Sequence, residues 1–182
     1  MLFARSFFAN PRHVGSVIPS SRRLIERLLG HTEWAEISVA VEYGPGTGVV
    51  TRALLARLGP DARLYAFEID DSFVDYLRQT IDDPRLIVVA ASAEGVAGAL
   101  NGYGHSHCDV VVSSLPFSIM PIGVRSRILQ GTASILSSGA SFIGYQYSTR
   151  WLHELRHVFR RVAVEIEPRN WPPAFVFRAL AG

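Results

Sequence analysis

A short β-branched run, Val39-Ala40-Val41, leads straight into Glu42-Tyr43-Gly44-Pro45-Gly46-Thr47-Gly48 and then into Val50, Ala53, Leu54 and Leu58 at helical spacing. Few folds accept that order. Strand, glycine turn and helix in close succession predict one unit of an open α/β sheet, whose ligands sit beyond the carboxyl ends of its strands. The glycines do not follow the dinucleotide fingerprint. Val49 stands where G-x-G-x-x-G needs its third glycine, and Gly48 comes one residue early.

The chain downstream repeats the alternation. Residues 63–67, 86–89, 109–112 and 140–147 read as strands. Phe73, Leu77 and Ile81 mark one helix between them, and Ile128, Leu129, Ala133 and Leu136 another. Residues 161–167 and 174–179, joined by Pro168-Arg169-Asn170-Trp171-Pro172-Pro173, predict an antiparallel hairpin at the edge of the sheet. A length of 182 residues with 48% apolar and 19% charged composition describes one globular domain with a real core. The lone cysteine, Cys108, excludes an internal disulfide and fits a reducing compartment. No apolar run approaches the roughly 20 residues that span a bilayer, and the start lacks a secretory pattern.

Charge is uneven along the chain. Every basic residue other than histidine is an arginine. Residues 1–30 carry five arginines and one acid, residues 31–147 seven and twelve, and residues 148–182 six and three. An anionic partner is therefore expected at the two ends rather than the centre. Residues 1–9 hold Leu2, Phe3, Phe7 and Phe8 with one charge, Arg5. A helix of this kind either docks on the protein itself or lies on a membrane surface. Asn10-Pro11 ends it, and Ser20 or Ser21 caps the next helix, whose apolar face is Leu24, Ile25, Leu28 and Leu29.

Glycine allows close backbone approach to a bulky adenosine, and Glu42 can attract the ammonium of an amino-acid tail. The stretch Glu42-x-Gly44-x-Gly46-x-Gly48 resembles the first motif of class I S-adenosylmethionine methyltransferases. Val14-Gly15-Ser16-Val17-Ile18-Pro19-Ser20-Ser21, Ser113-Ser114-Leu115-Pro116 and Asn170 to Ala174 resemble stretches of the bacterial phospholipid N-methyltransferases within that class. The resemblance implies a Rossmann-like, mostly parallel seven-stranded sheet with an antiparallel C-terminal edge hairpin and helices on both faces. It also implies S-adenosyl-L-methionine as cofactor and S-adenosyl-L-homocysteine as product. The cofactor residues it implies are Ser20, Ser21, Glu42, Gly44, Gly46, Gly48, Glu68, Ile69, Ser92, Ala93 and Ser113. Glu68 ends the second strand about 20 residues after the glycines, where a carboxylate grips a ribose diol. Relatives often carry Gly-Asp-Ala where this chain has Ala91-Ser92-Ala93, so Ser92 replaces a carboxylate facing adenine.

Substrate contacts are expected from Ser114, Leu115, Pro116 and Phe117 after the fourth strand, with Arg12 and Arg22 on a lipid phosphate. Ribosomal RNA adenine dimethyltransferases are similar here, as Asn-Leu-Pro-Tyr/Phe, but Ser114 stands in place of their asparagine. His13, Tyr145 and Tyr147 are the candidates for taking the amine's proton. Two metal-like patterns are set aside. His153-Glu154-Leu155-Arg156-His157 matches H-E-x-x-H but lacks a third protein ligand, and His105-Ser106-His107-Cys108-Asp109 has no standard spacing.

The resulting expectation is an N-methyltransferase acting on phosphatidylethanolamine or a related aminolipid. It divides into residues 1–30, a lid or membrane-contact segment, and residues 31–182, the cofactor-binding domain. An aminophospholipid and an anionic membrane surface are the expected partners. Nucleic acid and metal are not expected, and the protein is expected to be a cytoplasmic monomer peripheral to the inner face of the membrane. An RNA adenine methyltransferase and a cofactor-binding module without catalysis are the rival readings.

Overall fold

In a computed structural model, the structure describes residues 22–182. A helix, α1 (Arg22–Leu29), leads to β1 (Val39–Tyr43), α2 (Val49–Leu55), β2 (Arg63–Glu68), α3 (Asp71–Thr80), β3 (Leu86–Ala90) and α4 (Val96–Gly102). The second half runs β4 (Cys108–Ser113), α5 (Ile122–Ile135), β5 (Leu136–Gln146), α6 (Leu152–Val158), β6 (Arg161–Glu167) and β7 (Ala174–Leu180). The strands form one seven-stranded sheet in the order β3-β2-β1-β4-β5-β7-β6. Strands β1 to β5 run parallel to one another, and β7 runs antiparallel to both β5 and β6. The fold is the mostly parallel class I methyltransferase sheet with a C-terminal antiparallel hairpin.

Burial on both faces explains the near-continuous apolar strands. Val110 and Val112 of β4 face one layer, with Leu24, Leu28 and Leu29 of α1 and Leu54 of α2. Val111 faces the other, with Leu100 of α4, Ile128 and Leu129 of α5, and Leu155 of α6. The strand order reverses between β1 and β4, which opens a crevice at their carboxyl ends.

Three local differences from the sequence reading have physical causes. β5 begins at Leu136 rather than 140, and its pairing with β4 slips between Cys108 and Val110 to absorb the extra residues. α4 was not foreseen, because Gly98 and Gly102 interrupt its apolar spacing while Val96 and Leu100 still bury fully. α5 starts at Ile122, directly after Pro121, whose fixed φ suits a helix entrance.

Candidate active site

The loop after β1 is built from left-handed backbone. Gly44, Gly46 and Gly48 have φ of 67°, 53° and 77°, a region that side chains rarely adopt. Their reasons differ. A Cβ on Gly48 would lie 2.8 Å from Leu77 Cδ2 and 2.9 Å from Ile81 Cδ1, so this glycine lets α3 pack. A Cβ on Gly46 would meet nothing within 4 Å. That open space above the loop is the cradle a ligand backbone needs.

Glu68 stands opposite, at the end of β2, nearly buried. Its Oε2 accepts from Gly46 N at 3.1 Å, and its Oε1 accepts from Ile69 N at 2.8 Å and Asp70 N at 3.0 Å. Burial raises its pKa, and these three N–H groups oppose the rise. The carboxylate is thereby fixed in place, with Oε1 filled by its two donors and one lone pair of Oε2 left for a further donor. Asp70 caps α3 by accepting from Ser72 N at 2.9 Å.

A cavity of about 170 Å³ lies between these parts, lined by Gly44, Glu68, Ile69, Ser92, Ala93 and Glu94 on one side. Leu115, Pro116, Ile119, Met120, Val124 and Arg127 line the other. Ser92 Oγ accepts from Glu94 N at 3.2 Å, and Arg127 Nε pairs with Glu94 Oε2 at 2.6 Å. Ser113 is fully buried and its Oγ accepts from Leu115 N at 3.2 Å, while Ser114 N donates to Tyr43 O at 2.9 Å.

Glu42 does not line this cavity. It is completely buried beneath the loop, and neither carboxyl oxygen has a hydrogen-bond partner among the described residues. Burial pushes its pKa up to about 8. The neighbouring Thr51 hydroxyl, outside hydrogen-bonding geometry, opposes this, and Glu68 adds to it. An orphaned acid below a glycine cradle is what a ligand ammonium would satisfy. The cradle, Glu68 and Glu42 together fit S-adenosylmethionine.

Several expected residues sit elsewhere. Phe117, expected on the substrate, is fully buried in the core. It stacks on Trp151 at 4.9 Å between ring centroids because the turn after Pro116 directs it inward. Tyr145 packs on the α1–α2 layer, and Tyr147 meets it edge-on at 6.0 Å. Neither lines the cavity, because side chains of β5 alternate between faces. Burial raises the pKa of Tyr147, so its phenol stays protonated and makes a poor base. Arg22 is exposed at the start of α1. Arg12, His13, Ser20 and Ser21 lie outside the described residues.

The chain order gave no signal for the clamp on the 114–119 turn. Gln146 Nε2 donates to Leu115 O at 2.6 Å, and its Oε1 accepts from Ser118 N at 3.3 Å. From the other side Arg125 Nη1 donates to Phe117 O at 2.6 Å, and its Nε to Glu154 Oε2 at 2.6 Å. Glu154 is the acid of the H-E-x-x-H pattern. Its carboxylate is engaged by Arg125, while His153 and His157 are exposed.

A family model described as a methyltransferase domain matches residues 40–139. An ornithine lipid N-methyltransferase of Singulisphaera acidiphila is 29% identical over 176 residues, covering 95% of this chain and 91% of that protein. The ribosomal RNA small subunit methyltransferase H of Cupriavidus necator is 37% identical over 82 residues. That match covers 45% of this chain, which spans about a quarter of that protein (24%). Among solved structures, a T. thermophilus 16S rRNA methyltransferase in complex with AdoMet and guanosine superposes with a TM-score of 0.69. It is 19% identical, over 94% of this chain and 45% of that one. These matches overturn the expectation that nucleic acid has no place among the partners, because relatives in both sequence and fold are RNA methyltransferases. They also widen the family resemblance. The chain is related to lipid- and RNA-methylating enzymes alike, not to phosphatidylethanolamine enzymes in particular.

Proposed function

This chain belongs to the methyltransferase domain family, and we propose that it transfers methyl groups from S-adenosylmethionine to the amine of an aminolipid at a membrane surface. Phosphatidylethanolamine and amine-bearing lipids of the ornithine type are the acceptors of this class. One observation carries the choice. The match to a lipid N-methyltransferase runs through 95% of this chain, whereas the match to an RNA methyltransferase covers 45%.

The cofactor supplies an electrophilic methyl group on its sulfonium. The chain's own residues do the rest. Gly44 and Gly46 let the backbone approach the ligand, Glu68 holds the ribose hydroxyls, and Ile69, Ser92 and Ala93 border the adenine end. Glu42 offers its buried carboxylate to the ammonium from below. Leu115, Pro116, Ile119 and Met120 wall the acceptor side and exclude water, so that the amine attacks in line. The amine arrives as ammonium and must lose a proton. Of the three groups expected to assist, the imidazole of His13 is assigned this step, as the side-chain type most often used for proton transfer.

Methyl transfer from labelled cofactor should be measured on phosphatidylethanolamine vesicles, on ornithine lipid vesicles and on unmodified ribosomal RNA. Label in either lipid and none in RNA is the expected result. RNA is the second reading, favoured by the ribosomal relatives, and label in RNA alone would replace the lipid reading with it.

A further inference from the structure

The face carrying the cavity mouth is apolar at its projecting points and basic around them. Among the described residues, the two most exposed large hydrophobic side chains are Trp171 at 82% and Ile122 at 70%. Both stand at the carboxyl end of the parallel strands. Ile122 opens α5 after the turn that leaves β4. Trp171 lies in the β6–β7 turn, which comes beside the end of β5 because Gln146 pairs with Phe175. Ile119, at 52%, and Tyr147, at 46%, project from the same end. Hydrogen bonds tie the patch together. Gln146 holds Ser118, and the Asn170 side chain donates to Pro172 O at 2.8 Å, closing the turn that carries Trp171. Single exposed apolar residues are ordinary, but several gathered beside a ligand cavity mark an interaction surface.

The charges divide in the same way. Exposed Arg22 and Arg23 start α1, Arg150 follows β5, and Arg169 sits in the β6–β7 turn. The acids of this half are already engaged: Glu165 and Glu167 by Arg27, and Glu154 by Arg125. Asp71 and Asp75, both exposed, lie across the rim on α3.

We propose that the β5–β7 half of the rim is the face that docks on an anionic bilayer, with Trp171 and Ile122 inserted at headgroup depth and Arg150 and Arg169 on lipid phosphates. This inference rests on the aminolipid reading. A tryptophan with an apolar body and one polar N–H suits the headgroup region, and flanking arginines add electrostatic attraction to anionic lipid. Docking by this face sets Leu115, Pro116 and Ile119 against the membrane. A lipid amine then reaches the cavity while its acyl chains stay in the bilayer.

Trp34 and Trp151 are buried, so quenching from outside the fold reports on Trp171. The full chain is mixed with phosphatidylethanolamine–phosphatidylglycerol vesicles containing brominated acyl chains. The emission should shift to the blue and be quenched. The double variant Trp171→Ala/Ile122→Ser should lose about tenfold or more in partitioning and in methyl transfer to vesicles. The same variant should retain methyl transfer to a short-chain aminolipid dispersed as monomers. Arg150→Glu/Arg169→Glu should weaken binding to anionic vesicles, with the loss shrinking as salt rises. Vesicle binding that leaves Trp171 unquenched, or that survives the double variant, overturns the docking face. Transfer to neither form of lipid refutes the aminolipid reading itself. Shielding of Trp171 from an aqueous quencher by ribosomal RNA and not by vesicles overturns the proposal in favour of nucleic acid.

Discussion

Replacing Glu42 with glutamine should make the ligand-free protein more stable and its grip on the cofactor weaker. The carboxyl's pKa rises from an ordinary 4.5 to about 8 in the fold, chiefly through burial. An acid shifted upward holds its proton more tightly folded than unfolded. Stability is therefore highest below about pH 4.5, falls as pH rises towards 8, and levels off above it. At pH 7 the solution lies about 2.5 pH units above the pKa of the unfolded carboxyl, worth roughly 3 kcal/mol at about 1.4 kcal/mol per unit. Glutamine ionises in neither state and escapes that cost. Glu42→Gln should gain roughly 3 kcal/mol at pH 7, or about 6–12 °C in melting temperature for a domain of this size, and under about 1 kcal/mol at pH 5. Calorimetric melts of both proteins at pH 5, 7 and 8, without ligand, test the first half. Titration with S-adenosylhomocysteine tests the second, where loss of a charge-assisted contact should cost about ten- to a hundredfold in affinity. Equal melting differences at pH 5 and pH 8 would refute the buried neutral acid. Unchanged affinity would refute its role towards the ammonium.

Glu68→Ala should weaken cofactor affinity by at least about tenfold, read by calorimetric titration, because the three backbone donors that hold the carboxylate cannot replace it on a ribose. Gly48→Ala should lower the melting temperature by several degrees through its clash with Leu77 and Ile81, and Gly46→Ala should chiefly weaken cofactor affinity, since its methyl enters the open cradle. Gln146→Ala should lower kcat with little change in cofactor affinity, because it frees the turn that walls the acceptor side; a change confined to cofactor binding would argue against that. Arg125→Ala should destabilise the fold by about 3–5 kcal/mol in denaturant titrations, as it leaves Glu154 and the Phe117 carbonyl unpaired.

The sheet could be read from the chain because each central strand is buried on both faces and therefore appears as an unbroken apolar run. Glu68 could be read as well, since an acid closing such a run has few other places to stand. Glu42 looked the same by sequence, yet β1 extends past it to Tyr43, which puts its carboxylate beneath the loop instead of in the cavity. Phe117 was misplaced for a related reason. Only the direction of the turn decides whether an aromatic residue after Leu-Pro meets a ligand or Trp151. Gln146 and Arg125 left no trace in the pattern, because a clamp is made by partners 28 to 31 residues away and, for Arg125, eight and 29. The excess of arginine near the end of the chain was legible as charge, but the placing of Arg150 and Arg169 at one rim depends on β7 reversing against β5.

The order of parts along the chain has a consequence for how such an enzyme can diversify. Apart from Ser113, every described residue expected to hold the methyl donor lies between Glu42 and Ala93. The turn that meets the acceptor, and the Gln146, Arg125 and Glu154 clamp that sets it, follow Ser113. Besides the shared apolar core, the side-chain bonds that join the two halves among the described residues include Glu94 to Arg127 and Tyr43 to Thr132. Lineages can thus rewrite the second half for a new acceptor while inheriting the donor half intact. One ancestral donor site can in this way stand behind both lipid- and RNA-modifying descendants.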